Sequence, residues 1–184
     1  MMRSFLSDLE IQCLRSLVGT SISDIFSPSL IVYEENVRLD APASVRLDNE
    51  RGFLIIGSVT IPFIADGKEF SLGDQLQFQI SDRPSKIPST PSKQLMVGPC
   101  SVVNLGSHFR VTSIDIYQCE YVASLAAETF ARDVSVVQDA QITLFCGEGR
   151  PLSIAAAGDA IYVSRDLGLC HDRSFHLEPR MTLK

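Results

Sequence analysis

The chain has 184 residues, of which 45% are hydrophobic and 21% charged, with a net charge of −6 and a pI near 5.0. That composition excludes a wholly disordered chain, and at this length folding buries roughly 70% of the unfolded surface. The acidic balance disfavours non-specific nucleic-acid binding, which needs Lys and Arg to displace phosphate counterions.

Residues 1–92 carry 8 basic and 12 acidic groups, and residues 93–184 carry 8 and 10, so neither half forms a charged tail. Asp8 and Glu10 interrupt the apolar start at Phe5-Leu6, which reads against a secretory leader. The longest apolar stretch, Gly52 to Ala65, is broken by Gly57 and Pro62 and falls short of a membrane span. Five cysteines at irregular spacing, Cys13, Cys100, Cys119, Cys146 and Cys170, read as reduced thiols rather than a disulfide framework. The expected setting is therefore cytoplasmic.

The first predicted element is a helix over about 7–18. Ser7 and Glu10 fit a capping box, in which hydroxyl and carboxylate satisfy free N–H groups. Leu6, Leu9, Cys13, Leu14, Leu17 and Val18 recur at helical spacing, and Gly19 supplies a stop. Residues 22–39 read as β-rich. Leu30-Ile31-Val32-Tyr33, a polar turn at Glu34-Glu35-Asn36, and Val37-Arg38-Leu39 form a hairpin unit. Pro42 opens a connector whose polar run, Asp48 to Gly52, reads as a turn.

The middle of the chain predicts a β meander. Phe53 to Ile56 and then Val59, Ile61 and Phe63 precede a hairpin turn at Asp66-Gly67. Phe70 and Leu72 follow, then a second turn at Gly73-Asp74, then Leu76, Phe78 and Ile80 in alternation. Pro62 cannot donate to a ladder, so its strand is expected at an edge or in a bulge. Residues 81–99, rich in Pro, Ser and Lys, read as a long loop or linker.

Beyond the loop, Phe109 to Val111 and Ile114 to Tyr117 read as strand. A second helix is predicted over about 120–132, with Val122, Leu125, Ala126, Thr129 and Phe130 on one face. Val134 to Val137 reads as strand. A second hairpin unit follows: Ile142 to Cys146, the turn Gly147-Glu148-Gly149-Arg150, and Pro151 to Ile154. Ala160 to Ser164 closes the regular part, and the tail from His171 reads as irregular or an extended edge.

Little in the chain carries chemistry. Cys170-His171 with His176 lacks the paired spacing of a zinc site. A thiol nucleophile would need His108, His171 or His176 beside a cysteine in space, which no local pattern provides. Gly147-Glu148-Gly149 lacks the third glycine, the Lys-Ser/Thr pair and the helix of a phosphate loop. Glu34-Glu35 and Asp48/Glu50 sit in turns, where carboxylates are ordinarily solvated. The absence of Trp weakens a stacking platform for sugars or bases. No catalytic, cofactor-binding or metal-ligating residue is assigned, and no cofactor is expected.

The two hairpin units, most clearly Ile142 to Ile154, resemble bacterial immunity-type proteins of polymorphic-toxin systems, with an apolar strand, an acidic-Gly turn and an alternating strand. The resemblance covers about a quarter of the chain. It implies a cytoplasmic, non-catalytic protein that binds and occludes a basic toxin. The fold expected is a single α+β domain over 1–184, mainly antiparallel sheet with two helices, with a subdivision at 81–99 as the alternative. The function expected is protein binding without catalysis, independent of nucleic acid and membrane. Glu34, Glu35, Asn36, Glu148 and Arg150 are the partner-binding candidates. The alternatives are a small enzyme with a spatially assembled Cys/His or carboxylate site, and a structural subunit of a larger assembly.

Overall fold

A computed structural model describes residues 1–34, 36–48, 52–65, 67–84, 101–127, 130–147, 149–158, 160–165 and 176–184, with side chains at 106–108, 126–127 and 130–131 left aside. The predicted loop thus lies almost wholly outside the described residues, as do Glu35, Glu148, Cys100, Cys170 and His171.

The strands are β1 (Met2–Ser4), β2 (Ser21–Ser27), β3 (Leu30–Val32), β4 (Val37–Asp40), β5 (Ala43–Leu47), β6 (Phe53–Ala65), β7 (Lys68–Ser81), β8 (Ser101–Ala127), β9 (Phe130–Cys146), β10 (Leu152–Ala157), β11 (Ala160–Ser164) and β12 (Leu177–Leu183). The described helix is α1 (Asp8–Arg15). The sheet runs β3-β4-β11-β10-β9-β8-β2-β5-β6-β7, with β1 added parallel to β9 and β12 antiparallel to β8.

Strand β8 is shared between two layers. Its first part pairs with β2, and from Val111 onward it pairs with β9. The sheet therefore folds over on itself and encloses one apolar core. Ile22, Val45, Ile56 and Leu76 from one layer meet Ile116, Leu144, Ile154 and Ile161 from the other. Leu6, Leu14 and Leu17 join the same cluster from the helical segment.

The first helix forms as its capping box predicts. Ser7 Oγ accepts from the Glu10 N–H at 3.3 Å, and a Glu10 carboxylate oxygen accepts from the Ser7 N–H at 2.8 Å. Glu10 also reaches outward: its second oxygen accepts from the Phe78 N–H on β7 at 3.4 Å. The helix thus covers part of the β7 edge, where an unpaired ladder would otherwise invite association.

The second predicted helix does not form. Glu120 to Ala127 belongs to β8, and the chain returns along β9 from Phe130. In the structure Tyr121, Ala123 and Leu125 face a second apolar cluster, while Val122 points out at 62% exposure. Period two and the cross-strand register with Val134 and Val136 override the helical spacing of the same residues.

The 53–80 region is one long hairpin of two strands rather than a three-strand meander. Gly73-Asp74 is not a turn. Thr60 pairs with Asp74 and Pro62 with Ser71, so one residue opposes two and the irregularity is a bulge. Gly73 takes φ +142°, and a Cβ there would lie 2.5 Å from the Tyr121 hydroxyl. The bulge also accommodates Pro62, as the sequence suggests. Two strands escape the sequence reading, β1 and β5, the latter following a cis Ala41–Pro42 bond, while the tail takes its extended-edge alternative and pairs with β8 as β12.

The ends of the two long hairpins pack together through Ile61 and Leu72 on one side and Leu125, Val134 and Val136 on the other. The Tyr121 hydroxyl sits in this contact, donating to the Leu72 carbonyl and lying 3.1 Å from Gln138 Oε1. Burial, with electrostatic contributions from Cys119 and Asp74 behind it, pushes its pKa up to about 12. The unfolded chain releases this proton near pH 10, so between pH 10 and 12 the folded state holds more protons. Stability is expected to be level below pH 10 on this account and to fall as pH rises from 10 to 12. Alkaline urea melts of wild type and Tyr121→Phe check this: the variant should lose part of that slope, and an unchanged slope would refute the assignment.

Candidate functional site

The two turns singled out in the sequence lie 110 residues apart, and the fold brings them to the same end of the sheet. The antiparallel order places the end of β9, the start of β10, the end of β11 and the start of β4 side by side. A cavity of about 440 Å³ opens there, within the range of small-ligand sites.

The first turn contributes Tyr33, Glu34 and Asn36 to its wall. The hairpin closes through the Tyr33 N–H donating to the Asn36 carbonyl at 2.8 Å. The second turn contributes Arg150, ahead of Leu152 on β10. Val163, Ser164 and Arg165 arrive from β11, and Val103, Asn104 and Leu105 from β8. The floor is apolar because Val37 and Val163 are cross-strand partners and Leu152 belongs to the core.

Of the predicted contact residues, Glu34 and Arg150 are exposed at the cavity and Asn36 is partly buried in its wall. Glu35 and Glu148 lie outside the described residues. Sequence reasoning missed Arg165. A cation just after an apolar strand is ordinarily solvated, yet here the guanidinium carbon lies 5.1 Å from the centre of the Phe109 ring. No local pattern joins residues 109 and 165. Arg165 Nη1 and Asn36 Oδ1 are buried without a hydrogen-bond partner.

The thiols are placed elsewhere or in structural roles. Cys13 and Cys146 are free thiols, and Cys119 is buried. Cys146 lies at the base of the second turn, its sulfur 4.0 Å from the Arg150 carbonyl. His176 is exposed. Among the described residues, no group of three His, Cys, Asp or Glu is arranged to hold a metal ion. No helix among them is long and apolar enough to cross a membrane.

A second polar cluster lies within the sheet. Gln141, Thr143 and Ser153 have no exposure, and Thr143 Oγ1 is 3.0 Å from Ser153 Oγ, with Gln141 Nε2 3.1 Å from Thr143 Oγ1. The three satisfy one another, which makes them a buried link between β9 and β10.

Strand β3 forms one end of the sheet order and is unpaired on its outer side among the described residues. It exposes Ile31 at 46%, Val32 at 70% and Tyr33 at 48%. Such an open edge offers unpaired backbone groups to another chain, although its three residues keep it short. In comparisons with known proteins, the chain matches no family model, no curated protein and no solved structure.

Proposed function

We propose that this chain is a non-enzymatic protein-binding protein, and that its contact face is the end of the sheet where the two hairpin turns meet. The observation that carries this reading is the adjacency of Tyr33, Glu34, Asn36 and Arg150 around one cavity, beside the exposed apolar strand β3. Tyr and Arg are the residue types that most often anchor interfaces, and the mixed-charge turns suit a polar rim. An extended segment of the partner would add to the open edge of β3, with main-chain hydrogen bonds giving affinity.

The net charge of −6 supports a basic partner, since complementary charge speeds encounter. Such a partner is what the hairpin resemblance implies for an immunity-type protein occluding a toxin. Affinity capture from the source organism, run in parallel with wild type, Val32→Lys and Tyr33→Ala, tests the reading. A protein retained by wild type is expected to be lost from both variants while their thermal unfolding stays within about 0.5 kcal/mol of wild type. Identical capture by all three, or no specific protein with any, counts against it.

A further inference from the structure

The cavity between the turns carries a more specific signal than a contact face requires. Arg165 presents a buried N–H with no acceptor, and Asn36 presents a buried side-chain oxygen with no donor. Native chains rarely leave such atoms unpaired, because each forfeits its hydration without recompense. Among the described residues, no carboxylate forms an ion pair with Arg165 or Arg150. Phe109 carries the Arg165 guanidinium over the face of its ring. Val103, Leu105, Leu152 and Val163 give the same cavity apolar surface.

A guanidinium N–H without an acceptor, an amide oxygen without a donor and apolar side chains lining the same cavity ask for three complementary groups on one ligand. These are a carboxylate, an N–H and a hydrocarbon side chain. The last residue of a polypeptide carries all three on a single Cα. We infer that the cavity captures the C-terminal residue of the partner protein, a proposal that rests on the protein-binding reading above. The carboxylate binds Arg165, with Arg150 adding positive potential at the wall. The terminal amide N–H donates to Asn36 Oδ1, and an apolar side chain fills the space against Leu105 and Leu152. The residues before it have an open strand edge within reach, because Tyr33, which follows β3, forms part of the same wall.

Fluorescence anisotropy on the full chain tests this with labelled octapeptides ending in Leu, Val or Phe, each as the free acid and as the C-terminal amide. N-acetyl-leucine serves as competitor. At least one free-acid peptide is expected to bind, with its amide weaker by about tenfold or more. Arg165→Gln should produce a similar loss for the free acid, and Arg165→Lys a smaller one, because Lys keeps the charge without the planar fork. The comparison of acid with amide uses wild-type protein and does not depend on any variant folding. Equal binding of acids and amides, or no binding by any peptide below about 1 mM, overturns the proposal. N-acetyl-leucine competing as tightly as the peptide overturns the peptide occupant in favour of a small free acid. If the peptides fail while capture by wild type still depends on Val32 and Tyr33, the cavity proposal falls alone. If that dependence is also absent, the protein-binding reading falls with it.

Discussion

Replacing Asp139 with Ala is expected to destabilise the fold by about 3–5 kcal/mol, the cost of stranding one member of a buried ion pair. Asp139 is 2% exposed and lies on β9 inside the sheet. Arg180 on β12 engages it with both arms of its fork, Nε to Oδ1 and Nη2 to Oδ2, each at 2.6 Å. The Leu6 N–H, ahead of α1, donates to Oδ2 at 2.8 Å. One carboxylate thus ties both ends of the chain to the centre of the sheet. Phe5 completes the arrangement, with its ring centre 4.9 Å from the Arg180 guanidinium carbon.

Removing the carboxylate leaves a partly buried cation and an unpaired N–H, and both penalties appear together. For a chain of this size the melting temperature should fall by about 2–4 °C per kcal/mol. Urea unfolding followed by circular dichroism measures the loss. The double variant Asp139→Leu with Arg180→Met should recover much of it, since hydrophobic replacement of both partners removes the stranded charge. A single variant losing less than about 1 kcal/mol would show that the pair is no anchor.

Leu14→Ala is expected to cost about 2–5 kcal/mol, the range for truncating a fully buried leucine. Leu14 has no exposure and sits in the main core with Leu6 and Leu17. An eight-residue helix is too short to persist alone, so its packed face holds it in place. Weakening that face releases the contact between Glu10 and the Phe78 N–H and uncovers β7. The variant should therefore unfold at lower urea and also self-associate on sedimentation, as a bared strand edge predicts. Loss of stability without association would show that α1 contributes packing alone.

Local chemistry was readable where a signal fits within one turn or one strand. The Ser7–Glu10 box spans one helical turn, and its hydrogen bonds close as read. Both hairpin units form because their turns and flanking alternation are adjacent in sequence: Leu30 pairs with Leu39, and Leu144 with Leu152. Ala160 to Ser164 is a strand with the bounds its apolar run suggests.

Where one set of residues fits two periods, only the partner strand decides. Leu125 suits a helix face by spacing, yet Val134 and Val136 return antiparallel and bury its side with period two. Gly73-Asp74 has turn composition, but continuous pairing on either side makes it a bulge. The candidate site shows the same division. Glu34, Asn36 and Arg150 were legible as polar turn residues. Their meeting around one cavity was not, nor was the part played by Arg165, whose packing partner Phe109 lies 56 residues away.

The sequence alone determined that this is a strand-rich chain with a capped N-terminal helix and two polar-turned hairpins, because those features rest on contacts within a few residues. The tertiary structure decided the rest. By passing β8 through both layers it folded the sheet over one core, set Asp139 against Arg180, and brought two distant turns to a shared cavity. Such contacts depend on register between strands far apart in the chain, and no local pattern encodes that register.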